Sequence, residues 1–158
     1  MFLDRLTFAS VIDSTPLVSI DLVITNEQGQ VLLGERLNRP AQGYWFVPGG
    51  RILKNESLKN AFKRLTRNEL GYELEAEKAE LIGPYDHFYD DSVFGVHIKT
   101  HYVAIAYLVR VFTEELSNLP INEQHGCYKW FGKDTLSNNE QVHIHTKWYF
   151  DVITAKGI

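Results

Sequence analysis

The sequence predicts an α/β fold in which a mixed β-sheet is sandwiched between α-helices, an α/β/α arrangement. Three observations predict it. Apolar, β-branched runs occupy the first third of the chain, a segment of helical period follows, and further strands then lead to a final amphipathic segment. That order, sheet, helix, more sheet, helix, suits helices laid on both faces of one sheet.

The first strand is Leu17 to Ile24, LVSIDLVI, apolar apart from Ser19 and Asp21 and so read as buried. Thr25 to Gly29 forms a turn and Gln30 to Arg36 a second strand. Asn38 to Gly43 is a polar loop, and Tyr44 to Val47 a short strand that Pro48 ends. Gly49-Gly50 supplies a flexible bend. Asn55 or Ser57 then caps a helix reaching about Leu70, with Gly71 as its stop. Leu58, Ala61, Phe62 and Leu65 form its apolar stripe, and Arg64, Asn68 and Glu69 are expected to point largely away from it. One strand or a pair lies within Leu81 to Phe88, and a loop holds Asp90, Asp91, Ser92 and Gly95. Thr100 to Phe112 is the longest strand, Thr113 to Gln124 a polar connection and Cys127 to Phe131 a short strand. A single helix is expected from Glu140 to about Thr154, with Val142, Tyr149, Val152 and Ile153 inward.

The bulk numbers narrow the function classes. A chain of 158 residues fits one domain, residues 1–158, able to bury roughly 70% of its unfolded surface. Net charge is −4 with scattered basic residues, so no electrostatic footprint for nucleic acid exists. A few arginines in one pocket could still bind a small anion. Cys127 is the single cysteine, which excludes an intrachain disulfide and is read as a partly buried strand residue. No signal peptide and no run of about 18 apolar residues is present, so a cytoplasmic location without membrane contact is expected.

The chemistry concentrates in GGRILKNESLKNAFKRLTRNELGY, Gly49 to Tyr72. A glycine-rich bend lets backbone approach a ligand, and the helix after it carries an arginine and a carboxylate. An ordinary amphipathic helix explains Leu58, Phe62 and Leu65 but not Gly-Gly-Arg together with Arg64 and Glu69. The stretch resembles the Nudix box. Gly50, Glu56, Arg64, Glu69, Gly71 and Tyr72 fall on its pattern, whereas Leu65 and Asn68 replace two glutamates and Thr66 a hydrophobic residue.

The whole chain is similar to the GDP-mannose mannosyl hydrolases, a Nudix branch with this altered box. The similarity runs through STPLVSIDLVI (Ser14 to Ile24), NRPAQGYWFVPGGR (Asn38 to Arg51), RLTRNELG (Arg64 to Gly71), HFYDD (His87 to Asp91), THYV (Thr100 to Val103) and EQH (Glu123 to His125). It implies a Nudix fold and hydrolysis of GDP-mannose, or GDP-glucose, to GDP and free sugar with inversion. Water would attack the anomeric carbon, through an oxocarbenium-like state. It implies one Mg2+ per subunit, with Mn2+ possible, held by Gly49, Glu69 and Gln124.

The same resemblance gives His125 as general base, suited by the ordinary imidazole pKa. On composition alone, EQH would read as an exposed polar loop. Arg36 and Arg51 are candidates for the diphosphate, a surface salt bridge being a real competitor for Arg36. Tyr102 could donate to the leaving oxygen, a core strand tyrosine being the competing reading. Asp21, a charge within an apolar strand, needs a partner and could stabilise positive charge on the sugar or bind a hydroxyl. His87 and Tyr89 fall on the sugar-side loop, Phe8 joins the substrate-binding set, and the N-terminal segment implies a homodimer. His143 and His145, two apart, would face different ways on a helix and are read as ordinary helix residues. A conventional Nudix pyrophosphohydrolase attacking phosphorus and a non-catalytic nucleotide-sugar binder are the other readings.

Overall fold

The computed structural model describes residues 2–116, 119 and 125–157, with His125 described by its backbone alone. In chain order the elements are α1 (Arg5–Ser14), β1 (Leu17–Thr25), β2 (Val31–Arg36), β3 (Trp45–Phe46), β4 (Gly49–Arg51), α2 (Leu58–Leu70), β5 (Glu80–Tyr89), β6 (Thr100–Arg110), β7 (His125–Phe131), α3 (Lys133–Asn138) and α4 (Ile144–Ala155). The strands make one sheet in the order β3-β2-β1-β6-β5, with β4 also pairing β1 and β7 pairing β2. β1 runs parallel to β6 and antiparallel to β2 and β4, so the sheet is mixed, as expected.

β1 is central because its sequence is apolar on both faces, which suits a strand covered on both sides. Side chains alternate along a strand. Ile20, Leu22 and Ile24 therefore join Ala61, Phe62, Leu65 and Leu70 of α2 in one core cluster. Val23 joins Leu136 of α3 and Tyr149, Phe150 and Ile153 of α4 in the other. The α/β/α layering follows from that alternation.

α2 forms as its sequence dictates. Ser57 caps it by accepting from Asn60 N at 3.2 Å, Asn55 turns the chain with φ 65°, and Gly71 ends it in the left-handed region at φ 87°. Two details differ from the expected stripe. Leu58, in the first turn, is exposed, and Glu69 is buried at 5% exposure. Glu69 lies four residues after the buried Leu65, and residues so spaced share a helix face.

The N-terminal segment is a helix, α1, capped by Asp4, whose carboxylate accepts from Thr7 N at 3.0 Å. Three further expectations are corrected. Gly49-Gly50 is not a flexible bend but part of β4, with Gly49 opposite Asp21 and Gly50 opposite Ile20. A Cβ on Gly49 would collide with the Ile20 carbonyl oxygen, so glycine is needed for close approach. The final helix is two helices, α3 and α4, broken around Asn139 to His143. Cys127 is exposed, not partly buried. Among the described residues no helix is long and apolar enough to cross a membrane.

Phe62 is fully buried between α2 and β1, whereas Phe112 is exposed. Phe62→Ala should cost about 3–5 kcal/mol of unfolding free energy in urea titration, and Phe112→Ala should stay within about 0.5 kcal/mol of wild type. Equal losses would contradict the core assignment.

Candidate active site

The α4 side of the sheet gathers the polar residues. On β1 the alternation that turns Val23 toward α4 does the same for Asp21. Ala106 and Leu108 of β6 belong to the α4-side core, so Tyr102, at the same parity, shares their face. His87 of β5 pairs directly with Tyr102, and Tyr85 and Tyr89 stand two residues to either side of it. Asp21 pairs with Gly49 on one edge and with Ala106 on the other. Strand register alone therefore brings Asp21, His87, Tyr89 and Tyr102 to one face.

Asp21 is buried, and burial pushes its carboxyl up to about 7. The hydroxyl of Tyr149 opposes that shift, donating to Asp21 Oδ2 at 2.6 Å, and so does the charge of Arg36. Tyr149 Oη also lies 3.1 Å from His87 Nε2. His87 is stacked on His145, ring centroids 4.1 Å apart and planes 10° from parallel. His143 lies edge-on to His145 at 4.4 Å. Burial lowers all three imidazoles, with the neighbouring imidazoles or Arg36 adding to it: His87 and His143 to about 4, His145 to about 3. They are neutral at pH 7. His143 lines a surface cleft of about 440 Å³ together with Arg39, Tyr44, Tyr89 and Asp91. Arg39 and Asp91 pair across it at 3.1 Å.

The cations come from the opposite edge of β1. A register break against β7 lies between Gly34 and Arg36, where β2 ends. Arg36 Nε donates to the Pro40 carbonyl at 2.9 Å, and its charge acts on Asp21, Tyr89, Tyr102 and His143. Burial raises the Tyr102 phenol, and Arg36 and Arg51 pull it back down. The guanidinium of Arg51 sits 4.4 Å from the ring centre of Phe8, so α1 reaches the site through that stacked pair.

The box is wired as a rigid loop. Arg64 grips Glu56 with two hydrogen bonds, 2.7 and 2.9 Å, and donates to the Arg51 carbonyl at 2.9 Å. Glu56 also accepts from Leu53 N at 3.1 Å, and these partners hold its carboxyl below the usual range. Arg64 thus fixes the loop that carries Arg51. Glu69 Oε2 accepts from Tyr128 at 3.0 Å. Leu65 packs against Gly50, so a Cβ there would have to displace the tip of the Leu65 side chain, and Asn68 is exposed.

A hard divalent cation takes oxygen ligands, and Glu69 is a buried carboxylate on the helix that packs against β4, the strand that carries Gly49. Among the described residues no group of three or more His, Cys, Asp or Glu could hold a metal. A cage of carboxylates is therefore not what the described residues offer. Gln124 and the His125 side chain lie outside the described residues; the backbone of His125 pairs with Arg36 at the start of β7.

Sequence reasoning missed His143, His145, Trp148 and Tyr149 as site neighbours. His143 is not inside the helix but caps it, extended at ψ 144°, its Nδ1 accepting from His145 N at 3.2 Å. The helical-face argument that separated the two histidines does not apply to a cap residue.

A NUDIX domain model matches residues 15–152. The chain is 41% identical over 145 residues to the low-salt glycan biosynthesis protein Agl8 of Haloferax volcanii, covering 91% of this chain and 86% of that protein. Among solved structures it resembles a MutT NUDIX hydrolase from Burkholderia pseudomallei, with TM-score 0.69 and 29% identity over 89% of this chain and 99% of that one. A Francisella tularensis bifunctional NMN adenylyltransferase/ADP ribose pyrophosphatase, complexed with AMP and a manganese ion, shares the fold with TM-score 0.67 and 17% identity over 96% of this chain and 44% of that one.

The buried groups set a pH dependence of opposite signs. The three imidazoles have folded pKa values below the ordinary 6.5, so their contribution is present above that pH and lost as pH falls toward 4. Asp21, raised from 3.8 to about 7, works the other way within that window. Three sites against one leave a net loss of stability on acidification. The urea midpoint of metal-free protein should fall between pH 6.5 and 4, and His145→Gln should flatten the fall. A slope unchanged in His145→Gln would show that His145 is not buried in the neutral form.

Proposed function

The chain belongs to the Nudix family, and from that premise we propose that it hydrolyses a GDP-sugar, GDP-mannose or GDP-glucose, to GDP and free sugar by attack of water at the anomeric carbon. The carrying observation is the state of α2. Where the box would place two further carboxylates, Leu65 is packed into the core and Asn68 carries an amide, leaving Glu69 alone. That donor set suits one ion on the leaving diphosphate, not the several that gather around a full box. The similarity to a protein named for glycan biosynthesis supports a sugar nucleotide as the substrate class.

In this reading Glu69, Gly49 and Gln124 would hold a cation, Mg2+ or Mn2+, which when bound would neutralise charge on the diphosphate. Arg36 and Arg51 pair with the diphosphate oxygens, and Phe8 keeps the Arg51 guanidinium in place. Tyr102 donates to the oxygen that leaves C1. Asp21, His87 and Tyr89 meet the sugar, with the Asp21 carboxylate opposing the positive charge that develops as the bond stretches. His125 takes the proton from water as the new bond forms at C1, and the electron pair of the broken C–O bond leaves on GDP. The protein acts as a homodimer in the cytoplasm. The exposed Phe2, just before α1, and Leu6, within it, support that assembly.

Incubation with GDP-mannose and Mg2+ should yield GDP and free mannose. GMP with mannose 1-phosphate would replace this reading by ordinary Nudix attack on the diphosphate bridge, and binding without turnover would make the chain a nucleotide-sugar binder. His125→Ala should lower kcat on the order of 100-fold or more, measured by mannose release. Retention of full activity would remove His125 as the base.

A further inference from the structure

Tyr149 has no role in the reading above, yet its hydroxyl touches two of the residues that meet the sugar there. It comes from α4, Asp21 from β1 and His87 from β5, and all three are buried. The phenol has one proton. With Asp21 ionised, that proton goes to Oδ2 at 2.6 Å, the shorter contact. The phenol oxygen can then only accept from His87, 3.1 Å away, so His87 must carry its proton on Nε2. His87 Nδ1 is left with its lone pair, 3.8 Å from Asp21 Oδ2 and beyond hydrogen-bond reach of it. Occupying Oδ2 also orients the carboxylate. Oδ1 lies on the Gly49 side, close to where a side chain at that position would begin.

We propose that Tyr149 is a positioning residue that fixes, through one hydroxyl, the orientation of the Asp21 carboxylate and the tautomer of the His87 imidazole. The assignment of Asp21 and His87 to the sugar rests on the proposed function; the orientation and the tautomer do not. Asp21 thereby offers Oδ1 as an acceptor and His87 offers Nδ1 as an acceptor, a pair complementary to two sugar hydroxyls. Stacking of His87 on His145 holds the ring plane, and the edge contact of Tyr149 with Tyr85, 4.9 Å between centroids, holds the phenol. The phenol ring itself is retained in Tyr149→Phe, which removes only the hydroxyl.

Nitrogen NMR of histidine-labelled protein tests the inference without substrate, with His87 assigned by the resonances lost in His87→Asn. The wild type should show His87 protonated on Nε2, and Tyr149→Phe should move that resonance. A His87 protonated on Nδ1 in the wild type, or a His87 resonance unmoved in a folded Tyr149→Phe, overturns the proposal. The wild-type spectrum decides it even if the variant does not fold. Kinetics supply the second arm. Tyr149→Phe should lower kcat for GDP-mannose on the order of 10-fold or more. In an Asp21→Asn background the same change should lower kcat by a smaller factor, because only His87 of the two residues through which it acts is left to respond. The same fold loss in both backgrounds would mean independent action and overturn the coupling to Asp21. If wild-type protein does not hydrolyse GDP-mannose, the proposed function fails while the NMR arm still decides the role of Tyr149.

Discussion

The site depends on one constraint, a carboxylate in the middle of a strand that is buried on both sides. β1 is flanked by β4 and β6 and covered by α2 on one face and by α4 on the other. Asp21 interrupts it where it pairs with Gly49, and a charge there is costly unless partnered. The neighbours answer that demand. Tyr149 donates to it, Arg36 supplies a positive charge, and the shift to about 7 records that burial still dominates. Replacing Asp21 with an apolar residue would suit the core better, so its presence marks a position where packing yields to chemistry.

The second constraint is the approach of β4 to β1. Gly49 lies against the Ile20 backbone, so glycine is required there by proximity, and Gly50 lies against the tip of the Leu65 side chain. That contact joins the loop held by Glu56 and Arg64 to the strand that holds Asp21. Arg51, next in the chain, is carried to the site by the same geometry and steadied by Phe8. The loop-and-helix and the sheet thus form one frame around Asp21 and Arg51.

Much of this was legible in the residues. The apolar run of β1, the Ser57 cap, the Gly71 stop and the helical stripe through Ala61, Phe62 and Leu65 set those elements directly, because each rests on local chemistry. Asp21 was recognisable as a charge out of place. What stayed hidden depended on tertiary contact. Gly49-Gly50 read as a bend because nothing local shows a strand beside it. Glu69 read as outward because the packing of its helix face could not be seen. Spacing alone puts His143 and His145 on different helix faces, but the helix begins only after His143. Tyr149 read as core, which it is, but its hydroxyl meets Asp21 from 128 residues away in sequence.

Cleavage at carbon is proposed because α2 keeps one carboxylate, Glu69. GDP and free mannose alone could also arise from attack on the outer phosphorus. Hydrolysis of GDP-mannose in water enriched in oxygen-18, with mass analysis of both products, separates the two directly. Attack at carbon puts the label in mannose and not in GDP. Label in the β-phosphate of GDP would contradict it.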